Sequence, residues 1–132
     1  MIAALIAGVL LLQGDAEGRE LSPAQRIQAL EREPPAQSVP RLLPLAADPK
    51  PGTRESARKA LARLAPKAST LLREALAASD ASIRREAATA LASSGDLAAV
   101  FALATALGDP SPEVKERAAW ALGQMLDPVL ND

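Results

Sequence analysis

Three segments of the chain carry one arrangement of apolar and polar positions. They are Thr53-Arg54…Ala57…Ala60-Leu61, Ile83-Arg84…Ala87…Ala90-Leu91 and Val114-Lys115…Ala118…Ala121-Leu122. In each, a β-branched residue is followed by a basic one, then by Ala, Ala and Leu at +4, +7 and +8. The anchors Leu61, Leu91 and Leu122 lie 30 and 31 residues apart. Positions 0, +4, +7, +8 and +11 fall within about 100° of one another on a 3.6-residue wheel, so each segment predicts an amphipathic helix. Charged residues fill the gaps: Arg54, Glu55, Arg58, Lys59 and Arg63 in the first copy, Lys115, Glu116 and Arg117 in the third. A second apolar helix is expected ahead of each frame, over residues 39–47, 68–78 and 97–107. There Leu45, Leu76 and Leu107 are again 31 apart. Leu30, preceded by Ala29, falls 31 before Leu61 and marks a degenerate half-repeat.

Boundary residues support these elements. Ser22-Pro23-Ala24-Gln25 combines a cap, a first-turn proline and the glutamine of a capping box, and Ser111-Pro112-Glu113 repeats the device. Gly95 and Gly108 stand where a left-handed residue would end the preceding helices, and Asp96 can cap the next. Pro34-Pro35 asks for extended backbone before the second helix, and Pro44 predicts that this helix is short or kinked.

The frame Asp-x4-Val-Arg-x2-Ala-x2-Ala-Leu, as in Asp109…Val114-Lys115…Ala118…Ala121-Leu122, resembles the short HEAT repeat of bacterial proteins, including the phycobilisome-lyase-like HEAT families. It covers residues 39–125, about two-thirds of the chain. The second copy departs from it, because Asp80 lies only three residues before Ile83. The resemblance implies an all-α, right-handed α-solenoid of about three HEAT-like helix pairs plus one N-terminal helix. Second helices would then line a concave face used for protein contacts. The expected division is 1–16 signal segment, 17–38 N-terminal helix and Pro-rich linker, 39–126 repeats and 127–132 tail.

Composition agrees with helices and narrows the chemistry. Thirty Ala and 21 Leu stand against 13 Val, Ile and Thr together, a ratio that favours helices over strands. With no His and no Cys, a Ser-His-Asp triad, a thiolate nucleophile, a His/Cys zinc site and a disulfide are excluded. No catalytic, cofactor-binding or metal-binding residue is expected. Fifteen basic and 16 acidic residues nearly cancel, which argues against a polyanion binder as a whole.

Residues 2–12 form an uncharged apolar run, followed by Gly14 and Ala16 and then by charges. Eleven residues are too few to cross a roughly 30 Å hydrocarbon core as a helix, but they match the apolar region of a signal peptide. Cleavage after Ala16 is expected, leaving no membrane span and an exported, periplasmic or secreted chain. The n-region lacks Lys and Arg, so an uncleaved tail or a buried first helix stays open, with a cytoplasmic location.

Arg54, Arg84 and Lys115 share one frame position and predict a ladder along the second helices, with Asp48, Asp80 and Asp109 in the preceding turns. Each cation can pair with a turn aspartate and satisfy turn carbonyls. The alternative is a basic stripe, including Arg58 and Arg85, that grips an acidic ligand. The basic face of the first frame helix lacks the aromatic platforms of a nucleic-acid site, so a solvated face is expected there. Glu113 and Glu116 suit the first turn of a helix. Gly123 interrupts the last frame helix, which suggests close approach of a neighbouring helix or of the tail. Trp120 stands where the earlier frames hold Lys59 and Thr89. Either the tail residues Pro128-Val129-Leu130 fold back over it, or it anchors a partner. The expected activity is non-catalytic interaction with an unidentified protein; the alternative is an accessory or lyase-type role of the kind the resemblance includes.

Overall fold

A computed structural model of the chain describes residues 19–130. The expected signal segment therefore lies outside the described residues. Among those described there are six helices and no strand: α1 Pro23–Glu31, α2 Pro35–Ala46, α3 Pro51–Ala75, α4 Ala81–Leu91, α5 Leu97–Ala106 and α6 Pro112–Leu130. The architecture is an α-solenoid. Helix α3 packs against α1, α2 and α4, while α6 packs against α4 and α5. None of these helices is long and apolar enough to cross a membrane.

The repeated stripe is the core. Ala57, Ala60 and Leu61, then Ala87, Ala90 and Leu91, then Val114, Ala118 and Ala121 are all buried. Alanines at +4 and +7 let successive helices approach closely, and the leucines Leu42, Leu61, Leu72, Leu91 and Leu103 fill the space between them. One repeat alone could not cover such a stripe, so stacking supplies the core.

Helix α3 differs from the expected arrangement. The separate helix over 68–78 does not form; its residues continue from the first frame helix through Pro66 into one 25-residue element. Between Ala62 and Lys67 there is no glycine and no capping residue to stop the helix. Pro66 removes one donor, and its ring is exposed, so the cost falls on the solvent side. At the next junction Gly95 has φ +72°, and the Asp96 carboxylate accepts from the Ala99 N–H at 2.7 Å. There the chain does break.

Helix α2 likewise runs longer than expected, starting at Pro35 with only Pro34 extended. Pro40 and Pro44 lie inside it, four residues apart on one exposed face, where water can serve the carbonyls they leave free. At α1 the expected capping box forms: the Ser22 hydroxyl accepts from the Gln25 N–H at 3.2 Å, and the Ser22 N–H donates to Gln25 Oε1 at 2.8 Å. A bidentate pair from Arg63 to Glu31, 2.7 Å on each arm, ties α1 to α3.

Gly108 is not left-handed, contrary to expectation; among the described residues Gly95 alone has positive φ. Helix α5 ends instead in two tightened i→i−3 bonds, Gly108 N–H to Thr105 O at 3.0 Å and Asp109 N–H to Ala106 O at 3.1 Å. Helices α2 and α3 end the same way with Ala47 and Asp48, and with Ala77 and Ala78, so this turn needs no glycine. Gly123 is a second correction. A Cβ placed there meets no atom within 4 Å, so no close approach explains it. Nor does the chain turn back over Trp120, since α6 continues through Leu130 and carries residues 127–130 onward along its axis.

Candidate functional site

The frame helices α3, α4 and α6 place their polar positions along one groove. Its deeper part, about 560 Å³, is lined by Arg58 and Lys59 from α3, Glu86 and Thr89 from α4, and Arg117 and Trp120 from α6. A shallower part of about 360 Å³ adjoins it through Arg58 and Arg117 and adds Arg54, Arg85, Glu113 and Glu116, with Asp48 at one side. Lys59, Thr89 and Trp120 occupy equivalent frame positions, and the fold brings all three to the deeper part.

Glu86 organises this surface. Its side chain is fully covered and accepts from both arms of Arg58, Nε at 2.8 Å and Nη2 at 3.0 Å. It also accepts from Arg85 Nε at 2.8 Å, and Arg85 Nη1 reaches Glu113 at 3.2 Å. The chain Arg58–Glu86–Arg85–Glu113 thus crosses three helices. Burial pushes the Glu86 carboxyl up, but hydrogen bonds from Arg58 and Arg85 outweigh it and hold the group below its usual range. The Arg58 guanidinium is correspondingly raised by its bond to Glu86. Two arginines expected in a basic stripe are therefore neutralised within the fold.

Arg84 points elsewhere. It donates to Asp109 through Nε at 2.9 Å and Nη2 at 3.2 Å, and to the carbonyls of Ala78 and Ser79 at 2.8 and 3.0 Å. Asp109 also accepts from the Ser111 N–H at 2.8 Å; the bond from Arg84, with this backbone donor, holds its carboxyl below the usual range. Asp48 and Asp80 make the same turn bond, to Lys50 and Ser82, again at 2.8 Å. The turn aspartates thus recur as acceptors within their own turns, while the cross-repeat pairing is built by Arg84. Lys115 lies near Asp109 and adds to its electrostatic stabilisation. The six candidates divide into Arg54, Arg58, Arg85 and Trp120 on the groove and Arg84 and Lys115 at the inter-repeat turn.

Trp120 remains 43% exposed, and the Arg117 guanidinium lies 5.5 Å from its ring centroid. Glu86 and Arg117 were not singled out from the sequence. Both stand at +3 of the frame, a position held by Ser56 in the first copy. A position that changes from serine to acid to base between copies is the signal that could have exposed them. Among the described residues no cluster of His, Cys, Asp and Glu is arranged to hold a metal ion.

The family model for HEAT repeats matches residues 23–92 and again 69–131. The chain belongs to the HEAT-repeat family. The overlapping matches share residues 69–92, the last part of α3 together with α4, so the continuous helix α3 serves both. A HEAT-repeat chain of this kind is a repeat-based interaction module, whose stacked helices present an extended surface. A search of curated proteins gives no match to the chain.

Proposed function

We propose that this HEAT-repeat chain is a non-catalytic scaffold that binds a protein partner along the groove of α3, α4 and α6, with Trp120 as its anchor. The observation that carries this reading is the half-exposed indole at a position where the other two copies are polar and line the same groove. Large aromatic side chains that reach a partner's pocket dominate binding energy. The charge on the groove favours a protein over a polyanion. Arg54, Arg58, Lys59, Arg85 and Arg117 are balanced by Asp48, Glu55, Glu86, Glu113 and Glu116. Phosphate contacts require an excess of free cations, whereas two of these arginines are held by Glu86.

The site of action in this reading is outside the cytoplasm, on the strength of the apolar run at 2–12 and the small residues Gly14 and Ala16. A mature chain beginning at Glu17 in its host supports that part; intact Met1 in the cytoplasmic pool overturns it. For the groove, a photo-crosslinking residue at Thr89 and another at Pro66, on the outer side of α3, are compared in the host. Adducts to one protein from position 89 alone, lost in Trp120→Ala, are the expected result. Adducts from position 66 alone, or binding that collapses with moderate salt and survives Trp120→Ala, would replace this reading with another surface or with an acidic ligand.

A further inference from the structure

Helix α5 holds no charged residue, reading LAAVFALATA, and only Ala99, Leu103 and Ala106 of it are buried. Leu97, Ala98, Phe101, Ala104 and Thr105 all lie outward, on a stripe about 120° wide. Leu97 is 69% and Phe101 66% exposed. Thirty-one residues earlier, the same positions on α3 are Pro66, Lys67, Thr70, Arg73 and Glu74, four of them polar. Pro66 and Thr70 stay exposed although a repeat follows them. Leu97 also borders a hollow beside Gln124, Met125 and Leu126 of α6, but a further repeat stacked on α6 would leave Phe101, the counterpart of Thr70, uncovered. Cover for Phe101 would come from outside the array.

We infer that this stripe is the contact surface between two copies of the chain, packed back to back with α5 against α5. A surface free of charge needs a counterpart free of charge, because an unpaired ion buried against it is costly. The outer faces of α2 and α3 carry Arg41, Lys67 and Glu74; α5 itself supplies the charge-free counterpart. Contact of like with like is isologous and closes as a two-fold dimer instead of a filament. Ala98 and Ala104 flank Phe101 and permit the two helices to approach closely. With Phe101 near the middle of the stripe, the two-fold axis passes beside it. The groove of α3, α4 and α6 is lined by other helices, so this inference does not rest on the proposed function.

Sedimentation equilibrium of the full chain tests it. The mass is expected to rise from 13.7 kDa toward twice that value as concentration passes roughly 10 μM, the range for a small interface. Phe101→Glu should weaken association by at least about 30-fold, with the helical spectrum unchanged, and melting unchanged at concentrations below the dimer range, because the position is exposed in the monomer. Mixing Phe101→Glu with Phe101→Lys should restore the dimer, since the two copies of residue 101 face each other, and Trp120→Ala should leave it intact. A parent of 13.7 kDa at every concentration overturns the inference, as does a dimer that survives both Phe101→Glu and Leu97→Glu. Mixed variants that stay monomeric overturn the α5-to-α5 geometry. A dimer lost on removing residues 1–16 but indifferent to Phe101→Glu assigns the contact to the apolar N-terminal run instead.

Discussion

The middle and last repeats are copies of one frame that spend their exceptions differently. In the middle repeat the residues that depart from a plain Ala/Leu pattern are charged and turned inward: Glu86 binds two arginines, and Arg84 clamps the following turn. In the last repeat the exceptions Phe101 and Trp120 are apolar and turned outward, beside the exposed leucines Leu97, Leu107 and Leu126. An interior repeat must specify its register against two neighbours, and directional ion pairs do that where alanine surfaces slide. Outward apolar residues do nothing for register within the chain, which leaves them free to serve the proposed contacts beyond it.

The contrast is sharpest at the leucine anchors. Leu91 is fully buried, whereas its counterpart Leu122 is only partly so. Leu91→Ala should cost about 2–5 kcal/mol, the range for a deleted core leucine. Leu122→Ala should fall at or below the lower end. Chemical denaturation measures both, and equal losses would show that the last repeat is as firmly packed as the middle one.

Next in size is Glu86. Glu86→Ala removes the acceptor for two arginines that can turn partly to solvent, so the expected loss is about 2 kcal/mol. The carboxyl is held below its ordinary range, so the unfolded chain takes up its proton first on acidification. Stability from the network is present above about pH 4.5 and is lost as pH falls through the lowered folded value. Asp109, Asp96 and Glu31 are also lowered and add to the same acid lability. In Glu86→Gln the fall in melting temperature between about pH 5 and 3 should be shallower than in the parent. An unchanged slope would place the acid sensitivity in the other three carboxyls.

The repeat frame made the solenoid legible, because period, stripe and caps all pointed to the same helices. Junctions were less so. The frame asks for a separate helix over 68–78, yet Pro66 on the solvent face removes one hydrogen bond and does not break a helix buried on its other side. Gly108 reads as a left-handed end, yet the turn closes without it. At the groove, the frame identified Trp120 as an exception and grouped it with Lys59 and Thr89, which do share a surface. The network at Glu86 was not legible, because its partner Arg58 lies 28 residues away and only stacking brings them together. Charge composition counted the cations but could not tell which were already paired.

Gly123 offers a smaller effect with the opposite sign. Beyond its own helix backbone its Cβ position meets no described atom within 4 Å, so Gly123→Ala should stabilise the helix by about 0.5–1 kcal/mol through lost chain entropy and better propensity. A gain is expected in the last repeat because its outer surface makes no demand on this position. Destabilisation would reveal a contact there in solution, with the second copy or another molecule.

The smallest expected loss of stability is at Trp120, and its smallness is the point. Trp120→Ala loses the stacking of Arg117, worth about 0.5–1 kcal/mol at an exposed site, and part of the indole's burial. Alanine is the better helix former, which returns several tenths of a kcal/mol. The propensity gain offsets only part of that loss, so stability should fall by about 1 kcal/mol, well short of the losses at Leu91 and Glu86. Affinity for a protein seated in the groove should nevertheless fall by about 2 kcal/mol or more, near 30-fold. Arg117→Ala separates the contributions further: it removes the stacked cation and leaves the indole, so binding should drop less than in Trp120→Ala. A large melting-temperature loss in Trp120→Ala would instead make the indole part of the packing of α6, and the last repeat would then resemble the middle one after all.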